Sequence, residues 1–123
     1  MKKVKSTGPT NPNVQSIRRY LRRSAHKWHA KIWKDIDNHL QRSRRRSVQV
    51  NLSKISRLTK KDDVIIVPGK VLSTGKLLHH VTIAALNFSR HAREKILSIG
   101  GKCLTLKELI KQNPKGSDLK VIT

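Results

Sequence analysis

At 123 residues the chain has room for one domain and a modest core, and its 28 Lys and Arg against 7 Asp and Glu give a formal charge of +21 at pH 7. Such an imbalance makes a compact chain repel itself, and a polyanion, nucleic acid above all, is the partner that relieves the repulsion. A single cysteine excludes an internal disulfide, and no apolar run nears the ~18 residues of a membrane span.

Residues 1–13, MKKVKSTGPTNPN, hold Lys2, Lys3 and Lys5 with Gly8, Pro9 and Pro12 and almost nothing apolar. They read as an extended basic arm. No apolar signal core follows it, so a cytosolic protein is expected, or a nuclear one where the source has a nucleus.

Residues 14–50 form a helical, arginine-rich segment. Val14, Ile17, Tyr20, Leu21, Ala25 and Trp28 share one face at a 3.6-residue period, with Arg18, Arg19, Arg22, Arg23 and His26 on the other. The four arginines have no acidic residue three or four positions away, which favours phosphate contact over an ordinary solvated face. Ile32, Trp33, Ile36 and Leu40 continue the apolar stripe, and no Gly or Pro decides whether 14–42 is one helix or two. Arg42, Arg44, Arg45 and Arg46 follow without apolar period, as a loop or a fraying helix end.

Residues 51–123 read as an α/β core. Asn51-Leu52-Ser53-Lys54 is echoed by Asn87-Phe88-Ser89-Arg90 and, loosely, by Cys103-Leu104-Thr105. Each time a strand-like run ends on an apolar residue, and a Ser or Thr placed to cap a helix follows. Strands are expected at 64–67, 81–86, about 102–104 and 119–122. Helices carry Ile55 and Leu58, then Ala92, Ile96 and Ile99, then Leu106, Leu109 and Ile110. Thr105 and Glu108 have capping-box spacing, with Leu104 placed to staple onto Leu109. Gly100-Gly101 closes the second of these helices, and NPKGSD turns the chain into the last strand. Cys103 reads as a small core residue.

The stretch VIIVPGKVLSTGK begins like a nucleotide-binding phosphate loop, but Gly69 and Gly75 are five residues apart and Leu77 follows Lys76. That pattern requires four intervening residues and a Ser or Thr after the lysine to reach magnesium. What remains is a glycine loop with Lys70 and Lys76, then His79 and His80. It supplies either a phosphate or ribose contact on a folded RNA or a plain chain reversal with its lysines in water. His26 and His29 lie three apart, yet no Cys, Asp or Glu at ligand spacing completes a metal site. Asp35, Asp37, Asp62 and Asp63 read as surface positions. No nucleophile sits beside a base, so no enzyme, cofactor or small-molecule substrate is expected. Aromatic residues are 3% of the chain, too few to stack single-stranded bases on a sheet, so shape and phosphate recognition is expected. The rival classes are an RNA-acting enzyme and a non-specific DNA-compacting protein.

NHLQRSRRRSVQVNLSKI, VIIVPGKVLSTGKLLHHVTIAALNFS and GGKCLTLKELIKQNPKGSDLKVI resemble consecutive blocks of the large-subunit ribosomal protein eighteen-e family, of archaeal type. That family shares its fold with bacterial large-subunit protein fifteen, and the resemblance covers roughly residues 10–122. It implies a structural, cytoplasmic constituent of the large ribosomal subunit, bound to large-subunit rRNA and beside other large-subunit proteins. The fold it implies is α/β, a basic α-helical N-terminal part followed by an irregular superhelix of strand-strand-helix turns. A helix break near His29-Ala30 is likewise implied by the family. Arg42, Arg44, Arg45 and Arg46 match its basic signature, Gly69, Lys70 and Gly75 its glycine loop, and Lys115 with Gly116 its C-terminal turn. Ser73 departs from the glycine frequent in archaeal members.

Overall fold

A computed structural model describes residues 12–41 and 48–123. The chain runs α1 (Pro12–Trp28), α2 (Lys31–Leu40), β1 (Val48–Asn51), α3 (Leu52–Leu58), β2 (Val64–Leu72), β3 (Thr82–Phe88), α4 (Arg90–Ser98), β4 (Lys102–Thr105), α5 (Leu106–Gln112) and β5 (Leu119–Val121). Of the basic arm expected over residues 1–13, residues 1–11 lie outside the described residues, as does the run Arg42 to Ser47, whereas Pro12 and Asn13 open α1 instead of belonging to an extended arm.

All five strands are parallel, and β1-β2-β3-β4 are neighbours in chain order. Each strand therefore returns to the same end before the next begins, which gives the superhelical course the family resemblance implies. Alternation along the strands divides the interior into two cores. On one face Ile65, Val67, Ile83 and Ala85 pack with α3 and α4 through Ile55, Ala92 and Ile96. On the other, Ile66 and Ala84 meet α1, α2 and α5 through Leu21, Trp33, Ile36, Leu106 and Ile110. A one-residue slip of β2 would exchange the two sets, so the register is held from both sides.

The structure extends β2 to Leu72, five residues past the expected end at 67. Pro68 lies inside it, where a missing N–H would ordinarily break a central strand. Pairing moves from Val67↔Ala85 to Lys70↔Asn87, so β2 spends one extra residue there as a bulge. At the same place the other edge of β2 changes partner, from β5 up to Ile66 to β1 from Gly69 onward.

Helix ends follow local chemistry. Ser89 caps α4 by accepting from the Ala92 amide at 3.1 Å. Thr105 and Glu108 complete the expected capping box on α5, and Leu104 and Leu109 pack in one cluster. Ser53, in contrast, is not the cap: α3 starts two residues earlier than a Ser53 cap would set it, with Asn51 at the N-cap position and no side-chain cap. The break between α1 and α2 falls where the family resemblance places it. His29 takes a left-handed φ of 51° and the Ala30 amide donates to the Ala25 carbonyl at 3.1 Å, the six-to-one bond of a Schellman ending. Glycine usually fills that position, which is why composition leaves the break undecided.

Candidate nucleic-acid interface

Helix α1 contains no acidic residue, and Arg19, Arg22 and Arg23 are exposed along it. Arg19 and Arg23 have no partner among the described residues. Arg18 differs: its Nε donates to Asp37 Oδ1 at 2.9 Å, with both side chains largely buried. Arg22 Nη1 stands 3.7 Å from Asp37 Oδ2. Asp37 is therefore a buried residue and not a surface one, since two guanidinium groups from the neighbouring helix offset the cost of its desolvation. The expectation of four acid-free arginines fails at Arg18, and more weakly at Arg22, because their partner comes from α2, 19 positions from Arg18 in sequence.

The glycine loop occupies residues 73–81, between β2 and β3, and runs along α3. Thr74 O accepts from the Ser53 amide at 3.1 Å, the Leu78 amide donates to Ser56 Oγ at 3.2 Å, and Thr59 Oγ1 bonds His79 Nε2 at 2.9 Å. His80 Nε2 bonds Asp62 Oδ1. From α4, Lys95 Nζ donates to the carbonyls of Ser73 at 2.9 Å and Gly75 at 3.1 Å. Leu77 drops into the core, while Lys76 and Leu78 face outward. The loop is thus a braced ledge whose polar backbone is largely used internally.

The two glycines have different jobs. Gly69 is buried within β2, and a Cβ there would stand 2.1 Å from the carbonyl oxygen of Val48, so the close approach it permits is to strand β1. Gly75 is exposed with φ of 90°, and a Cβ would come within 2.4 Å of Ser53 Cβ. Lys70 is half-buried near the end of β2 and Lys76 is exposed on the loop; neither has a partner among the described residues. His79 is tied to α3. Lys115 is exposed on a C-terminal turn docked on α2 by Trp33 Nε1, which donates to Pro114 O at 2.7 Å. Lys2, Lys3, Lys5, Arg42, Arg44, Arg45 and Arg46 lie outside the described residues.

These placements do not converge on one patch. Helix α1 and the Lys115 turn belong to the sheet face of the α1–α2–α5 core, whereas the loop is anchored on the opposite face through Leu77. Acidic side chains are mostly engaged within the chain. Lys120 Nζ bonds Asp63 at 3.0 Å, and a hydrogen bond from the Lys60 amide, joined by Lys120, holds the Asp63 carboxyl below its usual range. Lysines 60, 61, 31 and 34 add exposed cations that periodicity alone did not single out.

Aromatic rings are equally engaged. Trp33 is fully buried, Arg93 lies over Phe88 at 5.1 Å, and Lys107 over Tyr20 at 5.9 Å. Trp28 is 39% exposed, beside Lys27 at 5.1 Å, and so leaves the apolar face its spacing suggested. Among the described residues no base-stacking platform forms on the sheet. Cys103 is half-buried against the core, and burial raises its thiol pKa, which suits a packing residue. No metal-ligating cluster occurs among the described residues.

Comparison with known proteins fits this picture. A family model described as "Ribosomal protein 60S L18 and 50S L18e" matches residues 1–123. The chain is 46% identical over 122 residues to "Large ribosomal subunit protein eL18" of Methanococcus maripaludis, covering 99% of each chain. A protein of the same description from Methanothermobacter thermautotrophicus is 43% identical over 119 residues, covering 97% of this chain and 98% of that one. The Methanopyrus kandleri protein of that description is 39% identical over 121 residues, covering 94% and 95%.

Proposed function

The chain belongs to the family of ribosomal protein 60S L18 and 50S L18e, and from that premise we propose that it ties together separate segments of folded large-subunit rRNA through lysine and arginine contacts to phosphate. It is a structural, non-enzymatic constituent of the large subunit of the cytoplasmic ribosome. The observation that carries the RNA-bridging reading is the presence of cations without acidic partners on both sides of one rigid sheet. Arg19 and Arg23 serve one side, with Lys115 on the same sheet face; Lys76 and the His79 ledge serve the other. Lys70, in register with exposed Gln49 and alternating with the core residue Val71, points away from the Leu77 side. Lys2, Lys3, Lys5, Arg42, Arg44, Arg45 and Arg46 join the contact set on charge alone.

Two RNA helices brought close repel strongly, and a slab cationic on both faces neutralises phosphates of each without a bend in its own backbone. With six to ten phosphates neutralised, affinity for a large-subunit rRNA fragment should fall by about 10³–10⁵ between ~50 and ~200 mM salt. Arg19→Glu with Arg23→Glu on α1, and Lys70→Glu with Lys76→Glu at the end of β2 and on the loop after it, should each lower the slope of log affinity against log salt by roughly two. Filter binding across a salt series checks this. A slope unmoved by either pair removes that pair from the interface, and a salt-insensitive affinity removes the reading.

A further inference from the structure

The corner where α1 turns into α2 forms an open cavity of about 560 Å³ lined by Arg22, Ala25, His26, His29, Lys31, Lys34 and Asp37. Its rim is cationic: Arg22, Lys31 and Lys34 are exposed, and both histidine rings border it. Ala25 supplies an apolar wall. Asp37, only 4% exposed, gives the cavity a buried acceptor, because Oδ1 is taken by Arg18 whereas Oδ2 has Arg22 at 3.7 Å, beyond hydrogen-bond length. A bare anion suits the rim but is repelled by the carboxylate. A bare cation suits the carboxylate but is repelled by the rim.

A ligand that matches both has a negatively charged end, a flat body and a donor at its far edge. We propose that this cavity accepts a single unstacked nucleotide of the bound RNA, its phosphate on Lys31 and Lys34 and an amino-bearing base edge on Asp37. This rests on the rRNA-binding reading for the source of the nucleotide, and it extends that reading from phosphate contact to the reading of a base. The volume lies within the range of small-ligand sites. Extruded bases are the usual targets of specific RNA recognition, and they can pack against histidine or guanidinium planes. A carboxylate discriminates among them. Adenine, cytosine and guanine present an exocyclic amine, while uracil presents an N–H between two carbonyl oxygens that the carboxylate repels.

The test uses the full chain, isotopically labelled, titrated with AMP, CMP, GMP, UMP and inorganic phosphate, with amide shifts followed by NMR. AMP, CMP or GMP should shift amides of residues 22–37 at about tenfold lower concentration than UMP, the loss expected for one charge-assisted hydrogen bond, and inorganic phosphate should be weaker still. Lys31→Glu with Lys34→Glu should abolish those shifts with the helical signal intact, since acidic residues suit the first turn of a helix. Equal shifts from phosphate and AMP, shifts scattered over the whole basic surface, or unchanged AMP binding by the double variant would overturn the nucleotide site. Filter binding of rRNA by the unmodified chain separates the two readings: rRNA binding without mononucleotide shifts sinks the cavity alone.

Discussion

Gly69 shows how one missing methyl sets the shape of the sheet. It is the first β2 residue paired with β1, and the Val48 carbonyl lies where a Cβ would sit. The clash is with backbone on a buried strand, so it cannot be relieved by turning a side chain. Gly69→Ala should therefore destabilise the fold by about 3 kcal/mol, the upper part of the range for overpacking. Gly100→Ala is the control. Its Cβ would meet nothing within 4 Å, and only the left-handed φ of 85° is strained, costing about 1 kcal/mol. Urea unfolding followed by circular dichroism measures both, and equal costs would mean that the approach of β1 is not tight.

At the level of single residues, the sequence was legible where local chemistry decides and opaque where a distant partner does. Ser89, Thr105 and Glu108 are readable because a cap is made with residues three positions away. Asp37 was not, since its burial depends on Arg18 reaching over from another helix. The glycine loop was half legible. Its cations are evident from sequence, but Pro68 and Gly69 read as loop when they form a bulge inside β2, because two flanking strands compensate for the missing N–H.

Elements depend on a few contacts that link them. The α5 capping box closes with Glu108 Oε1 accepting from the Thr105 amide at 2.8 Å. That hydrogen bond, with a second from the Thr105 side chain, lowers the Glu108 pKa below its ordinary 4.5. A carboxyl depressed on folding contributes stability above its unfolded pKa, and that contribution is lost as pH falls through the folded value. In Glu108→Gln the amide oxygen can still accept, without titrating. The stability gap between wild type and this variant should thus shrink from pH 6 to pH 3, as urea midpoints would record. A gap constant over that range would mean that the carboxylate is not engaged.

Helix α4 has a comparable role for the glycine loop, since Lys95 holds two of its carbonyls. Lys95→Met keeps the aliphatic stem and removes the donor. The Ser53 and Leu78 amides, both bonded between α3 and the loop side, should then exchange with solvent faster, while core amides such as Ile83 are unchanged. Hydrogen exchange read by NMR tests this, and uniform acceleration would show a global effect instead. The helix corner at His29 illustrates what an element-level reading misses. The histidine spacing 26/29 was visible as a possible ligand pair, but the cavity exists only because the chain turns there, and a non-glycine left-handed residue gives no compositional sign of the turn.

For the whole molecule, charge and fold pull in opposite directions. A net +21 spread over a 123-residue chain resists compaction, and the described acids form only a handful of ion pairs, most of them exposed and individually weak. Added salt screens the long-range repulsion, because many like charges stand farther apart than the ~8–10 Å Debye length near 0.1 M. The same salt weakens the pairs, but the partly buried Arg18–Asp37 contact is screened least. Repulsion therefore dominates the balance. The RNA-free protein should become more stable as sodium chloride rises from ~20 to ~500 mM, while its affinity for rRNA falls over the same range. Thermal unfolding at each salt concentration, set beside filter binding, gives the two curves. Opposite slopes mean that the excess cations burden the free fold and are relieved when phosphates replace salt as their counterions. A midpoint that drops with salt would instead make the surface ion pairs the main electrostatic support of the fold, and the cationic surface would then be no burden for RNA to relieve.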